Sequence, residues 1–236
     1  MLFQFRVLKL SPDSQNEILC GFPFMVIAGV VVAFLLDALF TGDWRTWSQP
    51  DRRQFGFTFT GWLVGSIVFI VVYGGFTSLT RRFMFDLLLP VFAIAQGFGR
   101  IGCFLGGCCY GCACTWGVHY PPGSLPFEQM GAVALFPVQL FEALFLFVLF
   151  FICVRRPFEG RGGFYLVGVG IVRFMLEFFR ADNRGTFLGL FIISPQQIMS
   201  CVFVGMGLAI LRKRNIHEVV PHSLVDKLNA DKERRL

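Results

Sequence analysis

In the stretch Gly170-Ile-Val-Arg-Phe-Met-Leu-Glu-Phe-Phe-Arg180, two arginines and a glutamate recur at i, i+4 and i+7, so Arg173, Glu177 and Arg180 share one face of a helix whose other positions are apolar. One carboxylate cannot neutralise two guanidiniums. Arg100, from a different apolar run, adds a third positive charge. Guanidinium groups bind phosphate through paired N–H donors, which makes a lipid phosphate the natural missing anion. The plainer alternative is a structural Arg173–Glu177 pair with Arg180 snorkelling to the interface. Asp37, Asp86 and Glu142 are also retained within or beside apolar runs. An ionisable side chain at mid-bilayer costs roughly 2.5–3.5 kcal/mol on insertion scales, so each is a functional candidate.

Around Arg100 the chain reads Gly97-Phe-Gly-Arg-Ile-Gly-Cys-Phe-Leu-Gly-Gly-Cys-Cys-Tyr-Gly111, and closely spaced glycines let backbone and ligand approach each other. The Gly97-x-Gly99-x-x-Gly102 substring matches a dinucleotide-binding pattern but lacks the strand and βαβ context that give it meaning. Cys103, Cys108, Cys109, Cys112 and Cys114 crowd the same region, with His119 nearby. Their spacings do not form two clean ligand pairs, so the expectation is no metal, with the cysteines serving as small packing residues or forming an adventitious disulfide. His217-Glu218 with His222 has one residue too many for a zinc-protease motif, and Pro221 breaks the helix such a site needs.

The elements that must position these groups are membrane spans. Of 236 residues 55% are hydrophobic, 15% are charged and 31 are Phe, outside the usual range of a soluble domain. Apolar runs at about Gly21–Phe40, Phe55–Phe76, Met84–Leu105, Val138–Val154, Gly162–Phe179 and Gln197–Leu211 have roughly the length that crosses ~30 Å of hydrocarbon. The expectation is therefore an all-α, polytopic bundle of about six transmembrane helices. It forms a single domain over residues 1–211, with a loop at about 106–137 and a polar tail over 212–236.

Arg52-Arg53, Arg81-Arg82, Arg155-Arg156 and Arg212-Lys213-Arg214 punctuate the runs, while Trp44, Trp47 and Trp62 sit where aromatic rings favour the interface. Counted by alternate connections, Lys and Arg favour the side bearing both termini, which the positive-inside rule makes cytoplasmic. The loop Gly106–Pro137 contains no Lys or Arg and falls outside. The polar stretch before the first run fits an anchor better than a cleaved signal peptide. The net charge of +6 suits anionic headgroups rather than nucleic acid.

Four ordered blocks carry a family resemblance between about Leu10 and Leu211. Gly99-Arg-Ile-Gly-Cys-Phe104, then Gly107-Cys-Cys-Tyr-Gly111 with Trp116-Gly-Val-His-Tyr-Pro121, then Pro137-Val-Gln-Leu-Phe-Glu142, then Arg173-Phe-Met-Leu-Glu-Phe-Phe-Arg180 together resemble the prolipoprotein diacylglyceryl transferase family. The resemblance implies a multi-pass protein of the bacterial plasma (inner) membrane, C-terminus cytoplasmic, with no cofactor. Such a protein moves the diacylglyceryl group of phosphatidylglycerol to the lipobox cysteine of a prolipoprotein signal peptide, releasing glycerol 1-phosphate.

By the same resemblance Arg100 holds the headgroup phosphate, Arg173 and Arg180 bind and activate the leaving phosphate, and Glu177 orients the arginines. Gly99 and Cys103 belong to the block around Arg100, and Gln139, Glu142 and Gly111 shape the pocket. The chain departs from the family pattern at two histidines, where it has Thr60 and Phe136, and Cys103 stands where many members have Asn. Members have seven spans as a rule, and Ser11-Pro12-Asp13 is similar to the loop after their first, so six are expected here. The competing readings are a lipid-binding or assembly protein without catalysis, a paralogue with another acceptor, a membrane redox or metal protein using the cysteines, and a transporter. The absence of an internal repeat disfavours transport.

Overall fold

The computed structural model of the chain describes residues 10–41, 58–181 and 194–212, with the backbone alone at 37–41 and 58. Arg45, Arg52, Arg53, Trp44, Trp47, Arg184, the 217–222 motif, the tail beyond Arg212 and the side chain of Asp37 lie outside the described residues. Among those described there are seven helices and one strand: α1 Pro12–Thr41, α2 Thr58–Tyr73, α3 Arg81–Leu105, β1 Ala113–Val118, α4 Leu125–Met130, α5 Val138–Arg155, α6 Arg161–Glu177 and α7 Pro195–Arg212.

Within α1, α3 and α5, the segments Pro12–Leu36, Arg81–Leu105 and Val138–Arg155 are long and apolar enough to cross a bilayer by themselves, and Phe59–Tyr73 is a shorter apolar helix. Helices α6 and α7, which stand at the expected spans Gly162–Phe179 and Gln197–Leu211, are 17 and 18 residues long and less apolar. The bundle is inverted relative to a soluble protein. Phe24, Ile27, Leu144, Phe151 and Leu208 are exposed on the outside, whereas Asp86, Arg100, Glu142 and Arg173 are buried. That distribution is stable where the surrounding solvent is lipid.

Two boundaries differ from expectation. The first helix begins nine residues before Gly21, because Ser11 caps it: the Ser14 amide donates to Ser11 Oγ at 3.3 Å, so the polar segment becomes the first helical turns. The loop 106–137 is not wholly irregular. The Cys114 amide donates to the Ala134 carbonyl and the Phe136 amide to the Cys112 carbonyl, both at 2.9 Å, folding β1 back on the approach to α5.

Helix α3 is the axis of the fold, packing against α2, α5 and α6. At one end Thr80 caps it, accepting from the Phe83 amide. A turn further in, the buried Asp86 carboxylate accepts from the Gly160 amide at 2.9 Å and the Gly162 amide at 2.8 Å, capping the start of α6. Asp86 is thus a structural anchor, a role its position in an apolar run did not reveal. Helices α6 and α7 approach closely: a Cβ at Gly163 would lie 2.9 Å from the Gly207 carbonyl, and one at Gly207 2.6 Å from the Gly163 carbonyl.

Candidate anion site

Arg100 lies five residues before the end of α3, Glu142 five residues inside α5 and Arg173 four residues before the end of α6. At 1.5 Å rise per residue all three sit about 6–8 Å below the helix ends at the face that carries the loop 106–137. They converge on one atom. Glu142 Oε2 accepts from Arg100 Nε at 2.9 Å and from Arg173 Nη1 at 3.0 Å. Arg173 Nη2 turns to Glu177 Oε2 at 3.4 Å. Arg180 is near enough to act by charge on Arg100, Glu142 and Arg173. Among the described residues three guanidiniums therefore gather with two carboxylates, and Arg100, Glu142 and Arg173 are buried in low-dielectric surroundings.

Neighbouring dipoles fix both carboxylates. Gln96 Nε2 donates to Glu142 Oε1 at 3.2 Å and Tyr165 Oη donates to Gln96 Oε1 at 3.4 Å, a buried chain from α6 through α3 to α5. Ser194 Oγ donates to Glu177 Oε1 at 3.0 Å. Ser194 also caps α7 reciprocally, since the Gln197 amide donates to Ser194 Oγ and the Ser194 amide to Gln197 Oε1. The start of α7 is thereby tied to the arginine cluster. Sequence reading missed Gln96, Tyr165 and Ser194. Gln96 carried a usable signal, a buried amide one helical turn before Arg100.

Arg100 and Gln96 also line a cavity of about 440 Å³, otherwise bounded by Val30, Ala33, Phe59, Trp62, Ala95, Gly99 and Cys103. Its walls come from α1, α2 and α3, and they are apolar except at the Arg100 end. A Cβ at Gly99 would meet nothing within 4 Å, so internal packing does not demand glycine there and the position opens into free space.

Gln139 and Gly111 lie outside this lining. Gln139 Nε2 donates to the Cys108 carbonyl at 2.7 Å and to Tyr120 Oη at 3.2 Å, pinning the loop to α5. Burial pushes the Tyr120 phenol above its ordinary pKa, so it stays a neutral partner. Gly111 is wedged between two backbone segments: a Cβ there would lie 2.5 Å from the Phe136 carbonyl and 2.8 Å from the Phe179 carbonyl, and its bridge to Arg180 sets where that arginine leaves the backbone.

A family model described as prolipoprotein diacylglyceryl transferase matches residues 1–212. The chain belongs to that family. Among curated relatives it is 33% identical over 194 residues to phosphatidylglycerol–prolipoprotein diacylglyceryl transferase 2 of Clostridium perfringens (strain 13 / Type A), covering 77% of this chain and 72% of the relative. To the phosphatidylglycerol–prolipoprotein diacylglyceryl transferases of Clostridium tetani (strain Massachusetts / E88) and Pseudoalteromonas translucida (strain TAC 125) it is 32% and 33% identical. These matches cover 65% and 67% of this chain but only 62% and 60% of the relatives.

The two positions where the chain lacks the family histidines now have surroundings. Thr60, buried, donates to Gln196 Oε1 at 2.6 Å and so joins α2 to α7. Phe136 belongs to an aromatic group, with ring centroids 5.0 Å from Phe141, 5.2 Å from Trp116 and 5.4 Å from Phe179. Neither side chain is a base near neutral pH.

Proposed function

We propose that this member of the prolipoprotein diacylglyceryl transferase family transfers the diacylglyceryl group of phosphatidylglycerol to the cysteine thiol of a prolipoprotein lipobox. The observation that carries the reading is the meeting of Arg100 and Arg173 on Glu142 at the polar end of an apolar cavity. An acyl-bearing glycerol suits the apolar walls, and its phosphate suits the guanidinium end. In the reaction the thiol loses its proton, a sulfur–carbon bond forms at the glyceryl carbon, and the carbon–oxygen bond to the phosphate breaks. Glycerol 1-phosphate leaves with the electron pair, and as a phosphate monoester it takes up the proton that the thiol gave up.

Charge on the departing phosphate grows as that bond stretches, and preorganised guanidiniums stabilise it without reorganising at the moment of reaction. Arg100 holds the phosphate, Arg173 and Arg180 carry the developing charge, and Glu142 and Glu177 keep the arginines aimed. The membrane in question is the bacterial plasma membrane, with the site toward its outer face and the C-terminus cytoplasmic.

Purified protein given labelled phosphatidylglycerol and a lipobox peptide is expected to label the peptide thiol, and Arg173→Ala to lower the rate at least about 100-fold, the scale of losing one charge-stabilising donor. Full activity in the Arg173→Ala variant would assign that arginine to structure alone. The bond from Thr60 to Gln196 favours a second reading, a phospholipid-binding protein that lacks the base. Tight binding of phosphatidylglycerol with no transfer would select it.

A further inference from the structure

We infer that Cys103, Cys108 and Cys109 form a three-thiolate site for a thiophilic d10 cation, zinc(II) or copper(I), beside the arginine cluster. Their sulfurs lie within 4.8 Å of one another, and each thiol is in hydrogen-bonding reach of the other two. Sulfurs around one such ion at about 2.3 Å sit roughly 3.8 Å apart, so each pair needs to close by no more than about 1 Å. Spacing alone hid this arrangement, because the ligands are not two separated pairs. They come from the end of one helix and the turn that follows it.

That turn is built to gather them. Helix α3 stops at Gly106, Gly107 takes the left-handed conformation at φ 67°, and the Cys108 amide returns to the Cys103 carbonyl at 3.0 Å. Cys109 then adopts φ 63°, a region that residues bearing a Cβ rarely enter, and it is the only such non-glycine among the described residues. Backbone strain held in place by surrounding structure is a mark of functional sites. Here the hold comes from Gln139 on the Cys108 carbonyl. Cys112, Cys114 and His119 stand outside the cluster, and none of the eight cysteines is joined in a disulfide.

A cation that draws the three sulfurs together releases one proton from each ligand without oxidation or reduction. Soft thiolates select soft d10 ions over the hard cations common in solution. The loaded site carries net negative charge next to Arg100, to which Cys103 and Cys109 are already coupled by charge. Resting on the lipid-transfer reading, this makes the cation an inhibitor that competes electrostatically with the phospholipid phosphate.

The test uses the full chain in detergent, purified metal-free under reducing, anaerobic conditions, and titrated with zinc(II) or copper(I) against a chromophoric chelator. One ion per chain is expected, with thiolate-to-metal absorption in the ultraviolet. Cys108→Ser and Cys109→Ser should each weaken binding at least 100-fold, and Cys112→Ser should not. Cobalt(II) added to the unaltered protein gives a readout independent of the variants, since intense thiolate charge-transfer bands report the coordination directly. Failure to bind a stoichiometric ion, binding that survives the Cys108→Ser/Cys109→Ser pair, or weak octahedral cobalt bands would each overturn the site. Metal binding by a chain that shows no transfer even when metal-free would leave the site standing and sink the lipid-transfer reading, transfer without metal binding would do the reverse, and a transfer rate unchanged by one bound ion would overturn the inhibition.

Discussion

Glu142 is the residue on which the arginine cluster turns, because one of its oxygens holds two guanidiniums from different helices with almost no solvent present. Removing one partner of a buried charge pair typically costs 3–5 kcal/mol, since the surviving charges have nowhere to go. Glu142→Ala is therefore expected to lower stability by about that amount, read as a fall in the unfolding midpoint in detergent. A midpoint equal to wild type would mean that Arg100 and Arg173 are held by something else. Gly99 makes the complementary case. Its Cβ position is open and faces the cavity, so Gly99→Leu should fold normally, fill space that an acyl chain would use, and weaken phosphatidylglycerol binding at least tenfold in a vesicle or micelle assay. Unaltered binding would place the lipid elsewhere. The participants Arg100, Arg173 and Glu177 were legible because charge in an apolar run is costly and therefore conspicuous. Glu142 was legible as a retained charge, but its bridging role was not, since which carboxylate a guanidinium selects depends on how three helices pack.

At the scale of elements, most of the helices could be read from hydrophobic length, and their ends from arginine pairs. The described α3 and α5 match the expected spans to within a few residues because each is apolar along nearly its whole length. The start of α1 was misjudged, since a serine cap extends a helix through polar residues that hydropathy alone assigns to a loop. The strand β1 was invisible for a related reason: its stability comes from pairing with Leu135 and its neighbours rather than from its own pattern. Asp86 shows what charge in a span can mean besides chemistry. Its carboxylate caps α6, so Asp86→Ala should cost about 1–2 kcal/mol, the usual value of a helix cap. Specific activity per folded molecule should hold, because the cap lies at the end of the bundle opposite Arg100, Arg173 and Arg180. A drop in activity with unchanged stability, measured by thermal unfolding alongside the transfer assay, would instead connect Asp86 to the reaction.

The whole molecule is asymmetric along its long axis, and that asymmetry decides which compartment the anion site faces. Arg81, Arg82, Arg155, Arg156, Arg161 and Arg212 gather at the end where Asp86 caps α6 and Arg82 donates to the Ile210 carbonyl. The opposite end carries the loop 106–137, which has no Lys or Arg, with the arginine cluster buried just below it. Cationic connections are as a rule retained on the cytoplasmic side, so the orientation we propose has the basic end inside and the cysteine-bearing loop outside. Cys112, exposed on that loop, gives a direct check. A membrane-impermeant maleimide added to intact bacterial spheroplasts should label Cys112, and a cysteine introduced by Pro157→Cys, between α5 and α6, should react only after the membrane is opened. Because Cys20 and Cys201 are also exposed on the bundle surface, the experiment is done with both changed to Ala, leaving Cys112 to be compared with its Cys112→Ala control. Labelling in the reverse order would put the anion site beneath the cytoplasmic leaflet. A secreted preprotein could then not present its thiol to the site after crossing the membrane, and the proposed acceptor would have to be abandoned even if phosphatidylglycerol still bound.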